Sequence, residues 1–476
     1  MKTNITLEAA IDRLHELAAE SKLDYFPINF EVVPIEIMLE VMSYGLPTRA
    51  RHWSYGKSYE YQKINGEMGF SKVYEIVLNN DPSYAFLLDT NSLIANIMVG
   101  AHVIGHVHFF KNNCLFKETD RKMVYQAAAR AQRIEDYIEK YGIERVEHVM
   151  DIGFALDKHI DWHKGVYREL YPSKEKVFKK NRVDEFDDIS NNKKPSVKEV
   201  VINKEFPPSN EYDLLWFLIN YAVLDPWEKD VLEIIRAESF YFYPQFYTKI
   251  MNEGFASYCH ADLMSKFDDI ELSDHLDFCK IHEKVVQPGS NKLHINPYFL
   301  GFTIFHDIKR RWDEMHENGD SDIDGLEKIY QVVEEEDDIS FIKHYLTQEI
   351  VDDLQMFSYV RNYDNGKREY IEIESKNVND VAEYIVNDLY NYRSPLIYIS
   401  KASGDGIELV HEHSDGKYLD KKHLNNVLKY IHEIWGGIIN IETIDNNGEI
   451  INFSYDELGF SHDDDSSGSS TLFTGV

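Results

Sequence analysis

The chain has 476 residues, a formal net charge of −33, an apolar fraction of 43% and an aromatic fraction of 13%. The aromatic content excludes a wholly disordered chain, because such chains are poor in aromatic residues. The excess of acidic side chains repels nucleic-acid backbones and anionic lipid, so we expect no nucleic-acid partner, whereas protein partners with basic surfaces are compatible with it. The length predicts two or three domains.

The first 170 residues predict mixed, mostly helical structure. An amphipathic helical pattern opens the chain with no apolar signal-peptide core before it, and the three cysteines are too few and too scattered for a disulfide framework. We therefore expect a cytoplasmic protein. Residues 51–69 are predicted to form an ordered loop, and residues 74–78 a short strand.

One stretch, residues 90–110, contains no Asp, Glu, Lys or Arg and is long enough to cross a bilayer. It contains Asn91, Asn96 and three histidines, and polar side chains are costly and rare at the centre of a bilayer. The pattern therefore predicts a buried core helix and no membrane span.

The second half of the chain changes character twice. Residues about 171–210 are rich in Lys, Asp, Asn and Pro and are predicted to form an exposed linker. Helical patterns follow, and beyond them the pattern predicts strands and helices in the order ββ-α-ββ-α-ββ. The predicted fold class is α+β, with a mostly helical N-terminal domain (residues 1–350), a small C-terminal α+β domain (residues 355–460) and a disordered tail (residues 461–476).

The strongest candidate site begins with two histidines on the predicted core helix. His102 and His106 are four residues apart, so their side chains lie on one helix face and can point at one metal ion. The same spacing occurs in the H-E-x-x-H helix of zinc proteases, but Val103 stands where that motif has the glutamate that acts as general base. The spacing therefore predicts a metal ion without the usual base.

A later helix supplies the candidate third ligand. Glu253 lies in the segment Met-Asn-Glu-Gly-Phe-Ala, and His260 lies about two turns further along the same face. A glutamate in this setting resembles the third-ligand helix of the gluzincin metallopeptidases. Two histidines and one carboxylate with an open coordination position suit catalytic zinc, and they also suit non-haem iron. We therefore predict a divalent metal ion, zinc before iron, bound by His102, His106 and Glu253 in a zincin-like arrangement.

Other interpretations of these residues stay open. The two helix histidines and Glu253 could form a buried polar network without metal. Glu238, a charge flanked by aromatic residues, is a candidate fourth ligand or general base, or one half of a salt bridge. His260 is the second candidate catalytic residue for proton transfer. A further pair with the same spacing, His159 and His163, lies in a more polar segment and is a weaker metal site.

Several long motifs follow one another in a fixed order along the chain. They are His52-Trp53-Ser54-Tyr55-Gly56-Lys57, Ala101-His102-Val103-Ile104-Gly105-His106 with Phe109-Phe110-Lys111-Asn112-Asn113, Tyr243-Pro244-Gln245, Met251-Asn252-Glu253-Gly254-Phe255-Ala256 and Ile295-Asn296-Pro297-Tyr298-Phe299-Leu300-Gly301. In these motifs the chain resembles the stage V sporulation protein R family, SpoVR. The resemblance covers the N-terminal region best.

The resemblance implies a biological process rather than a reaction. It implies a cytoplasmic bacterial protein linked to formation of the spore cortex, a modified peptidoglycan layer. Relatives in bacteria that do not sporulate, often encoded with a serine protein kinase and a von Willebrand A-type protein, imply a broader role in stress or envelope physiology. The family brings no agreed activity and no catalytic residues, so the metal site is inferred from spacing alone.

Two hypotheses for the function follow. The first is a metal-dependent hydrolase acting on an amide or peptide, in which the ion polarises a carbonyl or activates water and Glu238 or His260 moves the proton. The second is a non-catalytic scaffold or regulatory protein in spore cortex assembly, which Val103 and the acidic surface favour. A metal-dependent redox enzyme is a third interpretation, because the same ligands suit iron.

Overall fold

The computed structural model describes residues 5–47, 49–67, 75–171, 206–288, 295–364, 368–389, 391, 394–413, 417–445 and 447–462. The chain folds into two compact units, each built from two separate stretches of sequence. Unit 1 comprises Met1–Arg133 and Tyr241–Tyr392, and unit 2 comprises Ile134–Phe240 and Arg393–Val476. The fold is mostly helical with small sheets, so the predicted α+β class is confirmed.

Helices and strands are numbered here in chain order. The helices are α1 (Leu7–Glu20), α2 (Ile35–Tyr44), α3 (Trp53–Glu67), α4 (Leu93–Asn112), α5 (Met123–Tyr141), α6 (Ile143–Leu156), α7 (Leu214–Tyr221), α8 (Pro226–Tyr247), α9 (Lys249–Ser265), α10 (Leu272–Val285), α11 (Pro297–Glu317), α12 (Gly325–Glu335), α13 (Asp338–Tyr345), α14 (Gln348–Asp353), α15 (Val378–Leu389) and α16 (Lys421–Trp435). The strands are β1 (Ile28–Val33), β2 (Glu75–Leu78), β3 (Ser83–Leu88), β4 (Ser358–Asp364), β5 (Arg368–Ser375), β6 (Leu396–Ala402), β7 (Gly406–Glu412), β8 (Ile438–Ile444), β9 (Ile450–Asp456) and β10 (Gly459–His462).

The predicted linker and tail fall almost wholly outside the described residues. Residues 172–205 and 463–476 are not among those that the structure describes. The predicted division into residues 1–350 and 355–460 rests on the change of sequence period and stays a prediction.

The core of unit 1 is organised around α4. Every residue from Ile94 to Phe110 is buried, so this helix has no solvent face, as its apolar sequence predicts. Among the described residues it is also the one helix long and apolar enough to span a membrane. Of its most apolar stretch, 94% is buried inside the protein, as is typical of a core helix. The length and composition of α4 are therefore only weak evidence for a membrane span.

A three-stranded sheet of order β1-β3-β2 packs on α4. Strand β3 pairs parallel to β1 and antiparallel to β2, and Ala85 and Leu87 on one of its faces are fully buried. The sheet thus places the first residue of β2, Glu75, beside the α4 helix.

Most of residues 51–69 form helix α3, so the prediction of an ordered loop there was wrong. One face of this helix is held by aromatic packing: Tyr55 is buried and its ring centroid lies 5.0 Å from that of Tyr44 on α2. Packing against α2 therefore outweighs the low helix propensity of a stretch rich in Tyr and Gly.

Unit 2 contains a five-stranded sheet of order β10-β9-β8-β7-β6. Strands β7 and β8 are parallel and are joined through α16, which packs on β8 and β9 and whose residues Leu424, Leu428 and Ile431 are buried. The remaining neighbours pair antiparallel.

Candidate metal centre

Helix α4 supplies two imidazoles to the centre of unit 1. It begins at Ser92, whose Oγ accepts a hydrogen bond of 3.2 Å from the amide of Ala95, a regular N-cap. His102 and His106 follow on one face, with their side chains 4% and 6% exposed. Their ring centroids lie 4.6 Å apart, so both rings line the same small volume.

Glycines bring helix α9 close enough to reach these rings. A Cβ on Gly105, between the two histidines, would lie 2.8 Å from the Cα of Ala256, so only glycine allows this approach of α4 to α9. On its other side α9 crosses α11, where a Cβ on Gly254 would lie 2.4 Å from the backbone of Gly301. The crossing helices therefore fix where Glu253, the neighbour of Gly254, presents its carboxylate.

The start of α9 is held by a buried carboxylate from α13. Asp338 accepts hydrogen bonds of 2.8 Å from the amides of both Ile250 and Met251, which are free donors at a helix N-terminus. Asp338 is 2% exposed, so this anchor is part of the core.

Four side chains approach one another between these elements. Glu253 Oε2 lies 3.5 Å from His102 Nε2 and 3.4 Å from His106 Nε2. Glu75, at the start of β2, places Oε1 3.8 Å from His102 Nε2. One ligand atom each from Glu75, His102 and His106 lie within 4.8 Å of one another, a group that could hold a metal ion.

Two of these atoms are buried without a hydrogen bond. Among the residues that the structure describes, His102 Nε2 and Glu253 Oε2 find no hydrogen-bond partner, although they lie only 3.5 Å apart. Leaving such groups unpaired in a protein interior costs about 1–3 kcal/mol each. The arrangement therefore contains two unsatisfied atoms that face one another across a gap.

The far sides of both imidazoles are hydrogen-bonded. His106 Nδ1 lies 2.8 Å from Asn252 Oδ1, so Nδ1 carries the proton and donates to the amide oxygen. Burial lowers the pKa of His106, but Glu253 and Asn252 outweigh burial and raise it, so a metal ion at Nε2 would take the place of a proton. His102 Nδ1 lies 2.9 Å from Nδ1 of His260, and Nε2 of His260 lies 2.7 Å from Nδ1 of His282.

The two carboxylates differ in their electrostatics. Burial raises the pKa of Glu253, but the neighbouring imidazoles of His102 and His106 outweigh burial and hold that pKa below its ordinary value. Burial dominates for Glu75 and raises the pKa of its carboxyl. Each of the two side chains is 17% exposed, although the Glu253 Oε2 atom itself is buried.

Tyr298 borders the same volume from α11. Asn296 caps this helix by accepting a hydrogen bond of 3.0 Å from the Tyr298 amide, which fixes the ring near the site. The Tyr298 ring stacks on His102 at a centroid distance of 6.0 Å. Burial, with the charges of Glu253 and Glu75, raises the pKa of Tyr298 well above its ordinary value, so its oxygen keeps a proton.

The structure brings some of the sequence-predicted residues together. His102, His106 and Glu253 meet within unit 1, and His260 joins them through His102. Glu238 is 4% exposed and lies in the part of α8 that belongs to unit 2, so its predicted role stays a prediction.

Sequence reasoning missed four residues near the centre. They are Glu75, Asn252, His282 and Tyr298. The signal for Glu75 is a single charge in an otherwise apolar strand. Asn252 and Tyr298 lie in motifs on which the family resemblance rests, but nothing in the motif letters assigns them a contact.

Comparison with known proteins places the chain in a family. A family model described as SpoVR like protein matches residues 2–394. The chain belongs to the SpoVR family. A relative from Escherichia coli (strain K12), "Uncharacterized protein YcgB", is 32% identical over 482 aligned positions, covering 93% of this chain and 92% of the relative. No solved structure matches the chain.

All elements of the candidate centre lie within the part matched by the SpoVR model. Strand β2 and helices α4, α9, α10 and α11 all fall between residues 2 and 394. The family resemblance inferred from the motifs is therefore confirmed. The family carries no assigned reaction from these comparisons, so the chemistry rests on the geometry of the site.

Proposed function

We propose that this SpoVR-family chain is a metal-dependent enzyme whose divalent ion, zinc in the first instance, is bound by His102, His106 and Glu253. The observation that carries the proposal is the pair of buried atoms, His102 Nε2 and Glu253 Oε2, that face each other without a hydrogen bond. A cation between them would satisfy both atoms at once, and a buried polar atom without a hydrogen-bond partner costs free energy.

The separations between the ligand atoms support zinc. Ligands at about 2.0–2.1 Å from zinc in a tetrahedron lie about 3.4 Å from one another. The Glu253 oxygen lies 3.5 and 3.4 Å from the two imidazole nitrogens, so its separation from each of them is close to that of two ligands on one zinc ion. Iron is the alternative ion, because two histidines and a carboxylate also suit non-haem iron.

The reaction we propose is hydrolysis of an amide or peptide bond. A bound ion would polarise the substrate carbonyl or lower the pKa of a bound water. Val103 supplies no base, but Glu75 brings a second carboxylate to the site from another element. The Tyr298 hydroxyl, which keeps its proton, would donate a hydrogen bond to developing negative charge.

In the cell we propose a cytoplasmic role in spore cortex formation. This rests on the family, whose description carries the SpoVR name. A cytoplasmic protein does not reach the mature cortex, so a peptidoglycan precursor or a protein is the expected substrate. Roles for Glu238 and His260 in proton transfer stay predictions.

The experiment that tests the metal centre is elemental analysis of the purified full chain. Native protein is compared with the double variant His102→Ala, His106→Ala. A matched control carries His159→Ala and His163→Ala, a histidine pair with the same spacing in unit 2. We expect near-stoichiometric zinc or iron in the native and control proteins and loss in the first variant, with circular dichroism unchanged. Native protein that holds no metal, even after incubation with zinc or iron, would overturn the proposal.

A non-catalytic role remains the second candidate because of Glu75. If its carboxylate takes the fourth coordination position, the site is closed, as in structural zinc sites. Cobalt-substituted protein separates the two cases. Azide changes the visible spectrum of the cobalt protein when a position is open to exogenous ligands, and leaves the spectrum unchanged when four side chains fill the site.

A further inference from the structure

Three imidazoles form a continuous chain that leads away from the candidate centre. His102 on α4, His260 on α9 and His282 on α10 are joined by contacts of 2.9 Å (Nδ1 to Nδ1) and 2.7 Å (Nε2 to Nδ1). His260, in the middle, is fully buried, whereas His282 is partly exposed. This chain of imidazoles therefore begins at the candidate metal ligand His102 and ends at the partly exposed ring of His282.

The atoms that make these contacts restrict the tautomers of all three rings. A neutral imidazole has one N–H donor and one acceptor nitrogen. Metal binding at His102 Nε2 requires a lone pair there, so the proton of His102 must reside on Nδ1. His260 Nδ1 must then accept, which places the His260 proton on Nε2. That proton points at His282 Nδ1, which must accept in turn.

We propose that His260 and His282 are positioning residues that hold His102 in the tautomer and ring orientation needed to bind the metal ion. This inference rests on the proposed metal centre and deepens it. His106 is held in its orientation by a different residue, because its Nδ1–H donates a hydrogen bond to the Asn252 amide oxygen. Each histidine ligand is thus oriented from behind, by Asn252 in one case and by the imidazole chain in the other.

The chain of three imidazoles also requires a hydrogen-bond acceptor at position 282. If the His282 acceptor were removed, His260 could place its proton on Nδ1 instead. His102 Nδ1 would then have to accept, and the His102 proton would move to Nε2, where it blocks the metal ion. The effect of His282 on the metal is therefore transmitted through His260 and His102, without contact with the ion.

The test uses zinc affinity of the full chain, measured by competition with a chromogenic chelator. His260→Phe keeps a ring but removes the acceptor, and we expect about 10- to 100-fold weaker binding, the usual effect of losing such a partner. His260→Asn keeps an oxygen at the position of Nδ1 and should restore most of the affinity. His282→Phe should fall between native protein and His260→Phe. The matched control is His306→Phe, because His306 is exposed and does not belong to the chain of three imidazoles. This variant should bind zinc as the native protein does.

A spectroscopic measurement separates positioning from a general packing effect. In the zinc-loaded protein, nitrogen-15 NMR of the histidine side chains should show His260 and His282 as Nε2–H tautomers. The opposite tautomer at His260, or unchanged zinc affinity in His260→Phe, would overturn the inference while leaving the metal centre intact. Native protein without zinc affinity would instead overturn the proposed function, so the two failures are distinct.

Discussion

At the scale of single residues, the site contains two carboxylates with unequal environments. Glu253 approaches both imidazole nitrogens, whose proximity lowers the pKa of its carboxyl. Glu75 lies 3.8 Å from one of them, and burial raises the pKa of its carboxyl. The same chemical group can therefore serve two roles, an essential ligand at 253 and a weaker ligand or a base at 75.

These environments predict unequal effects of two matched substitutions. Loss of a residue that supports a metal ligand without touching the metal weakens binding by up to about 100-fold. Glu253→Gln should lower zinc affinity by more than this, because it removes a charged ligand. Glu75→Gln should weaken zinc binding less, while removing hydrolytic activity if Glu75 is the base. Chelator competition measures both affinities. Equal losses, or a larger loss at Glu75, would contradict the assignment.

A histidine in unit 2 gives a pH dependence with a definite sign. Burial, with the nearby charges of Lys158 and His411, lowers the pKa of His159 from 6.5 to about 4. The fold therefore favours the neutral ring, and this stability is fully present above pH 6.5 and is lost as the pH falls toward 4. The loss amounts to up to about 3 kcal/mol.

Urea denaturation at pH 7.5 and pH 4.5 checks this expectation. His159→Gln should lose less stability between the two pH values than native protein does. His163→Gln, at an exposed position of the same segment, is the control and should keep the native pH dependence. An unchanged pH dependence in His159→Gln would contradict the prediction.

Part of the site could be predicted from the sequence because its spacing is local. His102 and His106 share a face by helix geometry, and Glu253 was indicated by its short motif, which resembles the third-ligand helix of the gluzincin metallopeptidases. The position of Glu75 depends on which strand packs beside α4, a contact between segments far apart in sequence. The contact of His260 with His102 depends on the crossing of two helices, which neither segment encodes alone.

At the scale of elements, sequence periodicity predicted whether most C-terminal segments are helices or strands. It did not predict which elements pack against one another. The predicted order ββ-α-ββ-α-ββ is present as β4-β5-α15-β6-β7-α16-β8-β9, and the short strand β10 follows it. Strands β1 and β3 were not predicted, since their short runs carry no distinct alternation. Helix α3 was taken for a loop because its stability comes from packing on α2 rather than from its own sequence.

The crossing of α9 and α11 gives a prediction at this scale. A Cβ on Gly254 would meet the backbone of Gly301 at 2.4 Å, and backbone cannot move aside as a side chain can. Gly254→Ala should lower the free energy of unfolding by about 1–3 kcal/mol and weaken zinc binding, because the neighbouring Glu253 is displaced.

The control for this substitution is Gly56→Ala in α3. A Cβ there would meet no atom of the described residues within 4 Å, so alanine should stabilise the helix by about 0.5–1 kcal/mol and leave zinc affinity unchanged. Chemical denaturation and chelator competition provide the two measurements. Gly254→Ala protein with native stability would show that the two helices are not held at this distance.

At the scale of the whole molecule, each compact unit draws on two separate stretches of sequence. A pattern read along the chain reports local structure and does not report which distant segments pack together. All residues of the candidate centre belong to unit 1, although Glu75 and Glu253 are separated in the chain by residues of unit 2. A metal ion would therefore join the two sequence stretches of unit 1 directly.

This arrangement predicts that metal removal affects the two units differently. A ligand that binds only the folded state stabilises it, by about 2.7 kcal/mol when its free concentration is one hundred times the dissociation constant. Hydrogen–deuterium exchange of the full chain, with and without chelator, should show faster exchange in β2, α4 and α9 after metal removal. Peptides from β7, β8 and α16 in unit 2 should exchange as before. The double variant His102→Ala, His106→Ala should show no effect of the chelator, and equal acceleration in both units would contradict a metal centre confined to unit 1.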